Sequence, residues 1–198
     1  MLLHKLPQTV VIGDTEFDIN SDFRVSIEFE RLLFDSELSK AEALIEGLAL
    51  YYPVKPPDEK EALEKILWFY RCGKPEPPDG GQKESKRLYS LQHDFDYIYA
   101  AFLEQYKIDL TEADMHWWKF QSLFTSLNDC MFQRIVGYRA VDMKKLPAEE
   151  RKRYKALKRA FALPHEMEMS KEDRAFQEGL EEALISGNVS EFLKENQL

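Results

Sequence analysis

Between residues 88 and 136, large apolar side chains recur at the spacing of a helical turn, and they do so twice. Leu91, Phe95, Ile98, Phe102 and Tyr106 step by four, three, four and four. Those steps gather all five on one stripe of an α-helix and would split them between the two faces of a strand. Trp117, Phe120, Phe124, Leu127, Met131 and Ile135 repeat the pattern over 111–136, with Trp118 and Leu123 widening the stripe. Aromatic surface on that scale has to be buried, and the short connection makes each stripe the other's nearest partner. The spacing predicts two long helices, 88–106 and 111–136, packed together as the core, with Asn128-Asp129 marking a bend or break in the second.

The flanking segments carry their own signals. Val10 to Ile12, Gly13-Asp14, and then Thr15, Phe17 and Ile19 alternating with polar residues read as a β-hairpin around a tight turn. Asn20, Ser21 and Asp22 are helix-capping residues, and they decide 23–34 in favour of a helix although Val25, Ile27 and Phe29 alternate as in a strand. Ser39 followed by Glu42 is a capping box, and Asp58 with Glu61 repeats the signal. These start two helices joined by a turn over 53–57, the second stopped by Gly73. Pro75, Pro77, Pro78, Gly80 and Gly81 make 74–83 an exposed, mobile loop. The fold class expected is mainly α, a helical bundle with a short N-terminal β-hairpin. The domain reading is a helical domain over 1–164 and an acidic helical tail over 165–198.

Apolar residues make up 44% of the chain, enough for a buried core. The formal net charge is -9, which repels phosphate backbones and anionic lipid and leaves proteins as the expected partners, with no nucleic acid and no membrane. One stretch opposes that balance. Residues 144–159 hold Lys144, Lys145, Arg151, Lys152, Arg153, Lys155, Lys158 and Arg159 against Glu149 and Glu150. Pairing of this stretch with the acidic tail is the plain expectation, and a protein partner is the next. Cys72 and Cys130 form no CxxC motif and are expected to be reduced. No apolar run approaches the ~20 residues of a membrane span. Met1 to Pro7 is too short and interrupted for a signal peptide, so a cytoplasmic location is expected.

Searches for chemistry return little. His93, Asp96 and His116 are the nearest approach to a metal site, yet their spacing matches no established ligand pattern. Adjacent carboxylates such as Glu149-Glu150 and Glu181-Glu182 sit in charged stretches, where nothing separates their pKa values. No nucleophile elbow, phosphate-binding loop or dinucleotide fingerprint occurs. The expectation is a protein that is not an enzyme and takes no cofactor and no metal. The unusual feature is Trp117-Trp118. Successive helical residues point about 100° apart, so one indole can be core while the other lines a groove. Burial of both is the plain alternative.

Ile108-Asp109-Leu110, then Met115-His116-Trp117-Trp118-Lys119-Phe120 and Leu123, with Asp94-Phe95 and Ala100-Ala101-Phe102 before them, form a recognisable pattern. Phe132, Ile135, Tyr138-Arg139 and Asp142-Met143-Lys144-Lys145 continue it, and Asp22-Phe23-Arg24 with Phe29-Glu30-Arg31-Leu32 precede it. Together they resemble the bacteriophage gene-product-fifteen family of tailed phages and prophages, over about 10–163. The resemblance implies a role in tail morphogenesis in the host cytoplasm. The implied role is a tail-assembly chaperone that binds the tape-measure protein or another tail protein, in several copies as a homo-oligomer. A minor structural component of the virion is the rival reading, and a small enzyme or metal protein the remote one. Trp117, Trp118, Phe120 and Phe124 are the candidate partner-binding residues.

Overall fold

The computed structural model describes residues 5–35, 38–74 and 87–163. The expected tail over 165–198 and most of the loop over 74–83 lie outside these residues. Among the described residues the architecture is mainly α, seven helices with a two-stranded hairpin. No described helix is long and apolar enough to cross a membrane. The described residues divide into two compact units, one of 5–74 with 115–121 and one of 87–114 with 122–163.

The first unit opens with β1 (Thr9–Ile12) and β2 (Thr15–Asp18), antiparallel, with Val10 opposite Phe17 and Ile12 opposite Thr15. Val10 and Ile12 point into the core while Val11 faces out, which is the period-2 alternation of a half-buried strand. Gly13 turns the chain at φ +58° and donates its N–H to Glu61 Oε2 at 2.8 Å. Helix α1 (Phe23–Leu33) starts where Asp22 accepts the Arg24 N–H. It buries Phe23, Ser26, Phe29, Glu30 and Leu32. Helix α2 (Lys40–Tyr51) has the expected Ser39/Glu42 capping box, and α3 (Glu59–Tyr70) the expected Asp58 cap. α1 packs on α2, α2 on α3, and α3 beneath β1. Gly47 on α2 makes room for the Phe29 ring, since a Cβ there would lie 2.5 Å from Phe29 Cε2. Tyr51 is fully buried and shares a 2.7 Å hydrogen bond with Ser26 Oγ.

The second unit is built from α4 (Phe95–Tyr106), α6 (Met131–Ala140) and α7 (Ala148–Ala160), with α6 packed against both others. Helix α5 (Trp117–Thr125) gives residues 117–121 to the first unit and 122–125 to the second.

Two expectations are corrected here. The first long helix begins at Phe95 and not at residue 88, because the Asp94 carboxylate holds the Ser90 N–H and the preceding chain turns. The break expected at Asn128-Asp129 is present, with Asp129 at φ +46°, and it divides 111–136 into two helices; what is corrected is where the first of them starts. The start of the segment is lost to helix. Met115 and Trp117 pair with the chain around Asp22, through Phe23 N–H to Met115 O at 3.0 Å and Trp117 N–H to Ser21 O at 2.8 Å. The second stripe is therefore divided between the two units. Trp117 and Phe120 are buried in the first unit, Phe124 and Ile135 in the second.

Candidate functional site

The tandem tryptophans sit at the start of α5, against the end of α3. The last carbonyls of a helix lack partners within it and must find them elsewhere. Here two indoles reach them, one of them beside the Cys72 N–H that Phe69 O also accepts. Trp117 Nε1 donates to Tyr70 O and Trp118 Nε1 to Phe69 O, both at 2.8 Å. Consecutive side chains diverge by about 100°, and consecutive carbonyls of the facing helix diverge equally, so the two bonds form side by side.

The environments of the two rings differ. Trp117 is fully buried and stacked between Tyr70, at 5.2 Å, and Phe120, at 5.6 Å. Phe120 in turn stacks on Phe23 at 4.9 Å. Trp118 is half-buried and meets Phe69 at 5.9 Å and Trp68 edge-on at 5.4 Å. Trp68 stands on the outer side of α3 and is 37% exposed, so the pair offers aromatic surface to solvent. Beneath it, α3 ends through two residues of positive φ, Cys72 at +57° and Gly73 at +70°. A Cβ on Gly73 would lie 2.9 Å from Trp118 Cη2.

His116 fixes the start of α5. Its Nδ1 accepts the Trp118 N–H at 3.0 Å, and its Nε2 is 2.8 Å from Pro7 O, which can only accept. The ring is therefore the neutral tautomer with hydrogen on Nε2. Burial lowers its pKa, against the raising effect of the Pro7 carbonyl. With both nitrogens committed, His116 has no lone pair to give a metal. Among the described residues no three His, Cys, Asp or Glu side chains gather as a metal site would. Burial also pushes the Cys72 thiol up to about 11, away from a nucleophilic thiolate.

Of the four candidate anchors, Trp117 and Phe120 are completely enclosed and Phe124 is 7% exposed, in the second unit against Tyr89 and Phe132. Only Trp118 reaches the surface, and its neighbour there is Trp68, which the sequence reading passed over. The signal was present, since Trp68 is one of only three tryptophans and falls off the apolar stripe of Leu63, Ile66 and Leu67.

A family model described as Bacteriophage Gp15 protein matches residues 2–163. No curated protein and no solved structure matches the chain.

Proposed function

We propose, from the premise that this chain belongs to the bacteriophage Gp15 protein family, that it acts in phage tail assembly as a chaperone for the tape-measure protein. The observation that carries this reading is the Trp68–Trp118 pair. Both rings present apolar surface, and the Trp118 ring is held by its bond to Phe69 O. A fixed ring loses little freedom when a partner covers it, and tryptophan is prominent among interface anchors. A tape measure is long, helical and prone to aggregate before the tail tube closes around it. Its apolar helical face suits a partner that offers a small aromatic platform and releases it as tube subunits arrive. The task asks for binding and not for catalysis, and it is performed in the host cytoplasm.

Co-expression with a tape-measure fragment from the same phage or prophage tests the reading. The chain keeps the fragment soluble and co-purifies with it. Trp68→Ala weakens the complex roughly tenfold, the equivalent of about 1.4 kcal/mol. A fragment equally soluble without this chain overturns the proposal. Persistence of the chain near stoichiometry in purified particles assigns it instead to the virion.

A further inference from the structure

Helix α4 carries an apolar ridge that the described residues of the second unit leave open. The helix packs on α6 and buries Ile98, Ala101 and Phe102. Beside that buried face, Phe95, Tyr99 and Leu103 follow one another at i,i+4 spacing, a line about 12 Å long. Phe95 and Tyr99 are half-buried, and Leu103 is 42% exposed.

The ridge is held in place. Phe95 and Tyr99 stack at 6.5 Å with 29° between their planes. The Tyr99 hydroxyl donates to Asp109 Oδ2 at 3.3 Å, while Asp109 Oδ1 accepts the Thr111 N–H at 2.9 Å and the Thr111 hydroxyl at 2.6 Å. A ring already fixed loses little freedom when a partner covers it.

The rim of the ridge is acidic. Asp96 and Glu104 are exposed, each one position beyond a ridge residue. Asp109 and Glu112 stand around the outer end of Tyr99, where partial burial first and then their two charges push its phenol above the ordinary range. None of these four carboxylates makes an ion pair among the described residues. Lys107 is the one cation between 95 and 114, and its Nζ turns back to Glu104 O at 2.9 Å.

Apolar side chains repeating at the helical turn, with uncompensated negative charge along their edge, complement a helix whose own apolar stripe is bordered by lysine or arginine. The same rim repels anionic lipid and nucleic acid. We propose that the Phe95–Tyr99–Leu103 ridge docks a basic amphipathic helix of another protein. The ridge belongs to the second unit, and its role is independent of the one proposed for the tryptophan pair.

Fluorescence anisotropy of a labelled peptide titrated with the full chain tests this. The peptide is a helix of about 18 residues with leucines on one stripe and lysines along its edges. The chain binds it, and binding weakens as salt screens the rim. The same peptide with glutamate in place of lysine does not bind. Leu103→Asp weakens binding roughly tenfold or more, and Leu103→Ser weakens it too should the Asp version unfold. Asp96→Lys combined with Glu104→Lys lowers the affinity and flattens its salt dependence. Ile45→Asp, which alters an exposed aliphatic side chain on α2, leaves binding unchanged. Absence of binding overturns the proposal. So does equal binding of the two peptides, a Leu103 variant that binds like wild type, or an equal loss in Ile45→Asp. A dimer in sedimentation velocity that Leu103→Asp converts to monomer gives the ridge to a second copy of the chain and also overturns it.

Discussion

Arg139 lays two guanidinium nitrogens against both carboxylate oxygens of Asp94, at 2.6 and 2.8 Å, with almost no part of either side chain exposed. The residues are 45 positions apart in sequence. The same guanidinium donates to Leu88 O and Phe161 O, while Asp94 also takes the Ser90 N–H. One ion pair thus ties together the approach to α4, the last turns of α6 and the end of α7.

Breaking that pair is costly because each charge is buried and has no water to fall back on. Arg139→Ala destabilises the second unit by about 3–5 kcal/mol. Arg139→Lys recovers only part of this, since a single ammonium cannot bond both oxygens and two carbonyls in one plane. Denaturant titration of both variants checks the order; equal stability of Arg139→Ala and wild type would show that the pair carries no weight.

The two tryptophans separate in mutagenesis. Trp117→Ala empties a fully enclosed site and leaves Tyr70 O without its indole donor, a loss of about 3–5 kcal/mol. Trp118→Ala gives up a half-buried ring and one hydrogen bond and costs less, about 1–2 kcal/mol, because Phe69 O keeps the Cys72 N–H. Thermal unfolding of the two variants measures the gap. Identical midpoints would mean that the difference in burial has no energetic consequence.

His116 makes stability depend on pH above the carboxylate range. Burial lowers its folded pKa below 6.5, so on acidification the unfolded chain takes up the proton first. Stability contributed by the neutral ring is complete above 6.5 and is lost as pH falls from there through the lowered folded value. Protonation at Nδ1 also expels the Trp118 N–H that it accepts. His116→Asn, whose side-chain oxygen can accept that N–H, removes the slope between pH 7 and 5. Melting curves across this range decide it, and parallel slopes for variant and wild type would count against the neutral tautomer.

Two glycines respond oppositely to the same substitution. Gly73→Ala demands φ +70° of a residue with a Cβ and drives that carbon against Trp118, which costs about 1–3 kcal/mol. Gly137 lies inside α6 with nothing within 4 Å of its missing Cβ. Gly137→Ala stabilises by about 0.5–1 kcal/mol through helix propensity alone. Shifts of the melting temperature in opposite directions confirm the pair, and a stabilised Gly73→Ala would refute the close approach at Trp118.

Local order was legible from residue types a few positions apart. The Ser39/Glu42 and Asp58/Glu61 pairs mark the starts of α2 and α3 because a cap bonds backbone three residues away. The hairpin turn at Gly13 follows from the same local logic, since its φ of +58° favours glycine. The family pattern through His116, Trp117 and Trp118 was likewise carried by the sequence. Of the site itself, the sequence supplied Trp118 and not its partner. Trp68 has the composition of an anchor, but its exposure depends on which side of α3 the rest of the unit covers.

Helix identity, the hairpin and the caps were settled by the sequence alone, because helical and strand periods arise from neighbours on one short stretch of chain. The tertiary structure decided the pairing of Met115 and Trp117 with the chain around Asp22, the assignment of Trp117 to the core and Trp118 to the surface, and the meeting of Asp94 with Arg139. A stripe of apolar residues states that something must cover it and is silent about what does. That choice is made by distant segments competing to bury the same rings and to satisfy the same carbonyls, and no local spacing records the outcome.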